Sequence, residues 1–405
     1  MELIDLNDIK PEDFNYFEAQ MDDAFDACLY LIDVYVSENP TAISDPDFEE
    51  NLFDDIYDVL IVPFEKDIFF NDDSDNELND IIQYAIDLYF DTEPRSFDDS
   101  IIVKNPNVDY VTNQLIYLRG IPQPTQRTPE WYIFRHGLIT ASNAFKAFEN
   151  QTIQNQLIYE KCQPLQSPDE NKQPSLVNVD TTLHWGQKYE PMSVLIYETL
   201  YNTQIEDFGC IPHSTFKFIG ASPDGINCDI NSPRYGRMLE IKNIVNREIN
   251  GIPKKEYWIQ MQMQMETCDL PECDFLETKF TEYETESAFN EDGSFLKSSD
   301  NESMKGVIMY FARKDGSPLY IYKPVNMDKI EFDDWENATM ELHADLMWIR
   351  NCYWKLDKIS CVLVPRNKIW FNDNINTLSL IWDTIIHERI HGFSHRKPGQ
   401  KLKNL

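Results

Sequence analysis

Asp224 stands in a Pro-Asp-Gly turn (GASPDGI, 220–226) that closes a short apolar segment, FKFIGAS. Sixteen residues later, Glu240 and Lys242 fall in MLEIKNIV, which reads as a strand. Side chains two apart in a strand share a face, so Glu240 and Lys242 project together while Leu239 and Ile241 point into a core. Two carboxylates and an ammonium facing one space are costly unless a cation and an anion complete the set. A divalent metal and a phosphate would do so. Hard carboxylate oxygens suit Mg2+ or Mn2+, which keep several waters and accept phosphate oxygens. Taken alone the pattern is weak, because a surface strand with a salt bridge explains it as well.

Three further motifs accompany it. RTPEWYIFRHGLITASNA (127–144) brings Trp131 and Arg135 close to Thr140, Ala141 and Ser142. LHWGQKYEPMSVLIYE (183–198) reads as a helix with Trp185 and Tyr189 near its start and Glu190 pointing inward. EYWIQMQMQMETC (256–268) carries Gln260, Gln262 and Gln264. In this order the four motifs resemble the YqaJ-like viral recombinase and lambda-exonuclease family of metal-dependent DNA nucleases, part of the PD-(D/E)xK superfamily. The resemblance runs from Arg127 to about Asp274 at motif level, and more weakly to about residue 345.

The resemblance implies a role for each position. Asp224 would be the central metal-binding aspartate shared by two Mg2+ ions, with Mn2+ able to substitute. Glu240 and the backbone carbonyl of Ile241 would complete one site, and Glu190 would serve the second. Lys242 would position or deprotonate the attacking water, with a pKa depressed by the metals, and Gln260 would orient that water. Arg135 and Ser142 would hold the phosphate at a DNA end. The implied fold is an α/β (α+β) restriction-endonuclease-like core, a mixed sheet flanked by helices, carrying an added N-terminal acidic all-α domain.

Blander readings stand beside these. Arg135 could pair with an acid of its own domain, and Ser142 could cap the helix that begins at NAFKAF, a role compatible with phosphate binding. Trp131 and Trp185 suit core packing better than base stacking. Strict alternation in QMQMQM suggests a strand, whereas Met and Gln favour a helix, which is what the resemblance requires. Gln260 fits the family pattern best and Gln262 less well. His184 and His213 show no ligand spacing and read as structural.

The elements that must position these residues follow from pattern and charge. The 405 residues carry 70 acids and 35 bases, a net charge of −35, which excludes a protein that coats nucleic acid by charge alone. The excess is concentrated in residues 1–120, with 31 acids and 5 bases. Three acidic amphipathic helices are expected there. One, over 12–38, carries Phe14, Phe17, Met21, Phe25, Cys28, Leu29, Ile32 and Tyr35. The second starts near Asp45-Pro46 and buries Phe48, Leu52, Ile56 and Leu60; the third uses Leu78, Ile82, Ala85 and Tyr89. Prolines at 94, 106, 122, 124 and 129 place a boundary between 91 and 129. The domains expected are therefore 1–120, a nuclease domain over 121–365, and a C-terminal helix with a basic tail over 366–405. Within the nuclease domain, 281–302 reads as a mobile acidic loop, 304–325 as a hairpin around Asp-Gly, and 328–352 as a helix.

The eight cysteines form no CxxC pair or cluster, the N-terminus has no signal-peptide pattern, and no apolar run approaches the ~20 residues of a membrane span. The expectation is a soluble intracellular chain with reduced thiols, not secreted, acting in the cytoplasm (a viral factory) or the nucleus of a host. The resemblance points to a large DNA virus and to a DNA exonuclease that works from duplex ends, with a single-strand annealing protein as a partner and assembly as a homo-trimer or dimer. The extra domain and the acidic insertion put that assembly in doubt. Alternatives are a flap endonuclease or CRISPR-associated nuclease, and a catalytically dead end-binding or docking protein. The missing cysteine cluster weighs against an iron–sulfur member, and the full set Glu190, Asp224, Glu240, Lys242 and Gln260 weighs against a dead scaffold.

Overall fold

The computed structural model describes residues 11–64, 72–92, 107–165, 178–179, 181–300 and 302–397. Pro94, Pro106 and the tail beyond Lys397 lie outside the described residues. The chain divides into two compact units, Met1–Ile102 and Val103–Leu405.

The first unit is helical. Its helices are α1 (Pro11–Glu38), α2 (Phe48–Phe64) and α3 (Asp72–Thr92). Four-residue steps of apolar side chains supply the core: Ala24, Cys28 and Ile32 from α1, Phe48, Leu52, Ile56 and Leu60 from α2, Leu78, Ile82 and Ile86 from α3. Helix α2 begins two residues later than Asp45-Pro46 suggests. The Asp45 carboxylate instead accepts the Asp47 N–H at 3.0 Å and closes a turn ahead of the helix.

The second unit begins earlier than a boundary at 120 allows. Helix α4 (Val108–Gly120), capped by Asn107, buries Val111, Leu115 and Leu118 against Phe208, Ile226 and Met238. It is part of the hydrophobic core of the second unit. Flanking prolines hide it in the sequence. There follow α5 (Pro129–His136), β1 (Ile139–Thr140), the short α6 (Ala141–Ala144), α7 (Gln151–Cys162), α8 (Thr182–Tyr201), β2 (Ile205–Glu206), β3 (Ile211–Pro212) and β4 (Ile219–Ala221). Then come β5 (Gly225–Asn227), β6 (Met238–Ile244), α9 (Lys255–Cys268), β7 (Glu272–Glu282), α10 (Glu286–Glu291), β8 (Lys305–Ala312) and β9 (Pro318–Tyr322). Helix α11 (Lys329–Leu342), β10 (Met347–Pro365) and α12 (Lys368–His391) complete it.

The seven-stranded sheet runs β2-β5-β6-β7-β10-β8-β9. Within it β6 and β7 are parallel and the other neighbours antiparallel. A three-stranded sheet, β1-β4-β3, accompanies it. This is the mixed sheet flanked by helices expected from the sequence, with the helical N-terminal region preceding it. The large sheet separates two layers. Leu239 and Ile241 of β6 pack with Tyr197 of α8, while Met238 packs with Met261 and Met265 of α9. Alternation along β6 therefore sends Glu240 and Lys242 towards α9. QMQMQM is helical, as the resemblance requires. Its period of two cannot hold a single apolar face on a helix, so Met261 and Met265 enter one core and Met263 another.

Two expectations fail here. The helix read over 328–352 stops at Leu342, and Met347–Pro365 is a 19-residue strand. The acidic 281–302 stretch is also built rather than loose. Phe289 of α10 is buried, and the Lys305 ammonium donates to the carbonyls of Phe289 (2.6 Å), Asp292 and Ser294 (2.9 Å). An ammonium has three donors, and here they tie the segment to the sheet. The basic tail likewise starts ordered, with Arg389 donating to the carbonyls of His136 and Lys161 at 2.8 and 2.7 Å. All eight cysteines are free thiols. Among the described residues, no helix is long and apolar enough to cross a membrane.

Candidate active site

Strand β4 delivers the chain into the turn Ser222-Pro223-Asp224, and β5 leaves it. Gly225 permits the close approach this needs, since a Cβ there would sit 2.1 Å from Ile205 Cγ2. The Asp224 N–H donates to the Leu239 carbonyl at 3.2 Å, and the Ile241 N–H donates to Asp224 Oδ2 at 2.8 Å. The aspartate is thus locked to the strand that bears Glu240, Ile241 and Lys242.

Glu240 is only 1% exposed, so it lies deeper than a solvent-facing strand position. Its Oε1 accepts from Lys242 Nζ and from Gln260 Nε2 at 2.8 Å, and its Oε2 accepts from Gln264 Nε2 at 2.7 Å. Gln260 Oε1 lies 3.5 Å from Lys242 Nζ. Gln262 turns away and bridges the Pro365 carbonyl and the Asn367 N–H at 3.0 and 2.6 Å. Its lesser candidacy is overturned, because position 262 points to the side of α9 opposite the carboxylates.

Helix α8 brings Glu190 to the same place. Arg127 donates to both of its carboxylate oxygens at 2.9 Å. Arg127 has a left-handed backbone (φ 66), an unfavourable conformation for a side chain of this kind. Arg135, on α5, lies with its guanidinium 4.2 Å from the centre of the Trp131 ring. It donates to Ser142 Oγ at 3.0 Å, Ser222 Oγ at 3.3 Å and Thr140 Oγ1 at 3.5 Å. Its side-chain partners among the described residues are these hydroxyls and the Cys210 thiol, with no acid. The cap of α6 is Thr140, whose N–H donates to Asn143 Oδ1 at 2.9 Å, and Ser142 lies inside the helix. Trp131 is neither core nor free: it carries Arg135 and donates from Nε1 to Ser222 Oγ at 3.3 Å. Trp185 packs against the Tyr189 cluster. His184 pairs with the Tyr320 hydroxyl, and His213 Nδ1 accepts two backbone N–H groups, so both are structural.

One cleft of about 630 Å³ is lined by Arg127, Trp131, Arg135, Ser142, Glu190, Ser222, Asp224, Ile241, Lys242 and Gln260, among others. The structure therefore brings together every site residue inferred from the sequence, with Glu240 behind Lys242 and Gln260. Arg127, Ser222 and Gln264 were not assigned from the sequence. All three lie inside the quoted motifs, but nothing in their spacing gave them a role.

The electrostatics are those of a site short of positive charge. Burial, then Glu240 and Glu190, hold Asp224 well above the usual carboxylate range. Burial raises Glu190 as well, against Arg127 and with Glu240 adding to the rise. Burial alone would lower Lys242, but Glu240 and Asp224 outweigh it and hold the ammonium above its ordinary value. The depressed lysine expected from the sequence presumes cations that would draw those carboxylates away; without them Lys242 stays charged. Among the described residues, no three His, Cys, Asp or Glu side chains form a ready coordination shell. Arg127 and Lys242 supply the positive charge at Glu190 and Glu240. The donor set still suits a hard divalent ion: three carboxylates and the Ile241 carbonyl, two of the carboxylates penalised for carrying charge.

Apart from Gln126 and Arg127, every residue lining the cleft falls within residues 130–271, the stretch that matches the YqaJ-like viral recombinase domain. That stretch is similar to the family which the four motifs resemble. Over 313 residues it is 29% identical to protein R354 of Acanthamoeba polyphaga mimivirus, a match that covers 69% of this chain and 55% of that protein. The chain thus spans about half the length of this relative. Among solved structures it is similar to an alkaline exonuclease from Laribacter hongkongensis (17% identity, TM-score 0.38, 65% of this chain and 95% of that one). It is also similar to the same enzyme in complex with dAMP (18% identity, TM-score 0.37).

Proposed function

We propose that the chain is a divalent-metal-dependent DNA exonuclease that hydrolyses phosphodiesters from duplex ends in viral DNA recombination or processing. One observation supports it above the others. A guanidinium that donates to the hydroxyls of Ser142 and Ser222 and pairs with no acid among the described residues shares a cleft with Lys242 and the carboxylates of Glu190 and Asp224, with Glu240 directly behind. Arg135 with Ser142 and Ser222 is an anion clamp: charge from the guanidinium, and hydroxyls free to turn their protons towards phosphate oxygens. Asp224, Glu240, Glu190 and the Ile241 carbonyl would hold one or two Mg2+ ions. Such ions, when bound, neutralise the scissile phosphate and lower the pKa of a coordinated water. Lys242 Nζ then holds or moves the proton of the attacking water, and Gln260, whose amide spans Glu240 and Lys242, orients it. Trp131 fixes Arg135 by stacking, so the distance from clamp to carboxylates sets which phosphodiester is cut.

End-labelled duplex DNA incubated with Mg2+, with and without chelator, tests the reading; no metal-dependent release of label would refute it. Duplex with a 5′-phosphate should be degraded at least about tenfold faster than dephosphorylated duplex, and Arg135→Ala should lose that preference. Equal rates on both substrates with the parent protein would remove the clamp role. The partner and assembly belong to the same reading: a single-strand annealing protein, and a trimer or dimer detectable by light scattering.

Residues 1–102 contain 30 acids and 3 bases. We assign them to limiting access of DNA or docking a partner, not to gripping substrate. Removing them should tighten duplex binding by about tenfold at low salt. The gap should close as salt shortens the screening length towards ~8 Å. Weaker binding by a folded truncated chain would reverse this assignment.

A further inference from the structure

Gln264 is 0% exposed, lies outside the cleft lining, and donates its amide to Glu240 Oε2 at 2.7 Å from one turn beyond Gln260. The same Nε2 lies 3.5 Å from the Ser222 carbonyl, in the turn that carries Asp224 and the hydroxyl bonded to Arg135. Its Oε1 is buried with no partner among the described residues. A glutamine amide can flip to exchange its O and N. Here the flip would set Oε1 against a carboxylate, so Glu240 fixes the orientation and the orphaned oxygen is its cost. A buried amide kept in so unfavourable a state is explained by what its N–H₂ group holds. Position 262, equally buried on the same helix, is bonded on both its oxygen and its nitrogen and serves only the chain beyond β10.

We propose that Gln264 is a positioning residue for the metal site. It grips Glu240 from behind by Oε2, leaving Oε1 turned towards Lys242, Gln260 and the cleft, and it ties that carboxylate to the Ser222–Asp224 turn. The orientation of Glu240 towards a cation, and its registry with the phosphate clamp, then depend on one buried amide. This rests on the metal-nuclease reading. Partners that orient a metal-binding carboxylate are worth tenfold to a hundredfold in metal affinity.

The test compares Mn2+ binding by calorimetry, the Mn2+ dependence of cleavage, and melting temperature for the full chain. The variants are Gln264→Met, Gln264→Glu, Glu240→Ala and, as a control on the same helix, Gln262→Met. Gln264→Met removes the amide at nearly constant volume, and deleting the orphaned oxygen offsets part of the lost hydrogen bond in stability. It should bind Mn2+ roughly tenfold or more weakly, and should recover most of the parent rate at high Mn2+. Gln262→Met should lower the melting temperature and leave Mn2+ affinity unchanged. Unchanged affinity and metal dependence in Gln264→Met would overturn the proposal. So would equal losses in both Met variants, which would mark a packing effect. If Gln264→Met does not fold, Gln264→Glu decides: the oxygens facing Glu240 would weaken Mn2+ binding, and parent affinity would overturn the inference. A parent protein that binds Mn2+ no better than Glu240→Ala would instead refute the metal-nuclease reading itself.

Discussion

Asp224→Asn should be folded, more heat-stable than the parent in chelator, and at least about a thousandfold slower on duplex DNA. The loss follows from removing a charged oxygen that two cations would share; about 4 kcal/mol of transition-state stabilisation corresponds to that factor. The gain in stability has a separate cause. Folding raises the Asp224 pKa through burial, Glu240 and Glu190, so the folded chain favours the neutral acid. The contribution of such a group is present below its unfolded pKa of about 3.9 and is lost as the pH rises towards the raised folded value. Metal-free parent protein should therefore melt at lower temperature at pH 8 than at pH 5, and Asp224→Asn should flatten that slope. Thermal melts at the two pH values and a gel assay check both halves. Cleavage within tenfold of the parent, or a variant less stable at pH 8, would contradict this account of the cleft.

Lys242→Met should lose about 10²–10⁴ in rate at saturating metal, the range associated with a positioned proton-transfer group. Metal affinity should hold or increase, because the ammonium on Glu240 is a competing cation. The two variants thus separate by calorimetry: Asp224→Asn loses Mn2+ binding and Lys242→Met keeps it. A lysine variant whose rate returns with excess metal would show that Lys242 serves to hold Glu240 and not to handle the proton.

Asp224, Glu240 and Lys242 were legible because a turn followed by a strand leaves little freedom in where side chains two apart point. Glu190, Arg135 and Ser142 were legible only through the order of motifs, since nothing in a lone helix glutamate marks it as facing a cleft. Along the sequence only the resemblance separated the glutamines, favouring Gln260 over Gln262. On a helix, 260 and 264 share a face and 262 does not, and the alternating pattern hid that period. Arg127 and Ser222 have ordinary neighbours, and their importance lies in what the fold brings opposite them. Two errors share one physical origin. Helix α4 and strand β10 are decided by long-range partners, Met238 and Ile226 for the first and the edges of β7 and β8 for the second, and local propensity is silent on both. The acidic 281–302 segment misled because composition counts its charges and cannot see Lys305 satisfying three of its carbonyls.

Strand β10 pairs with β7 through Trp354–Pro365 and with β8 through Met347–Lys355, so only Trp354 and Lys355 are paired on both sides. Gly306, opposite Trp354, has no room for a side chain, since a Cβ would lie 2.4 Å from the indole. The β8–β9 hairpin is therefore hinged to the β5-β6-β7 half of the sheet over a very short overlap. In native-state hydrogen exchange the sheet should come apart in two steps. Amides of β8 and β9 exchange first as the hairpin peels away, while β5, β6 and β7 stay protected until the whole unit unfolds. Glu240 and Lys242 thereby stand on the half of the sheet that is last to open, while the hairpin half reaches the cleft through α8, where the Tyr322 hydroxyl donates to the Lys188 carbonyl at 2.7 Å.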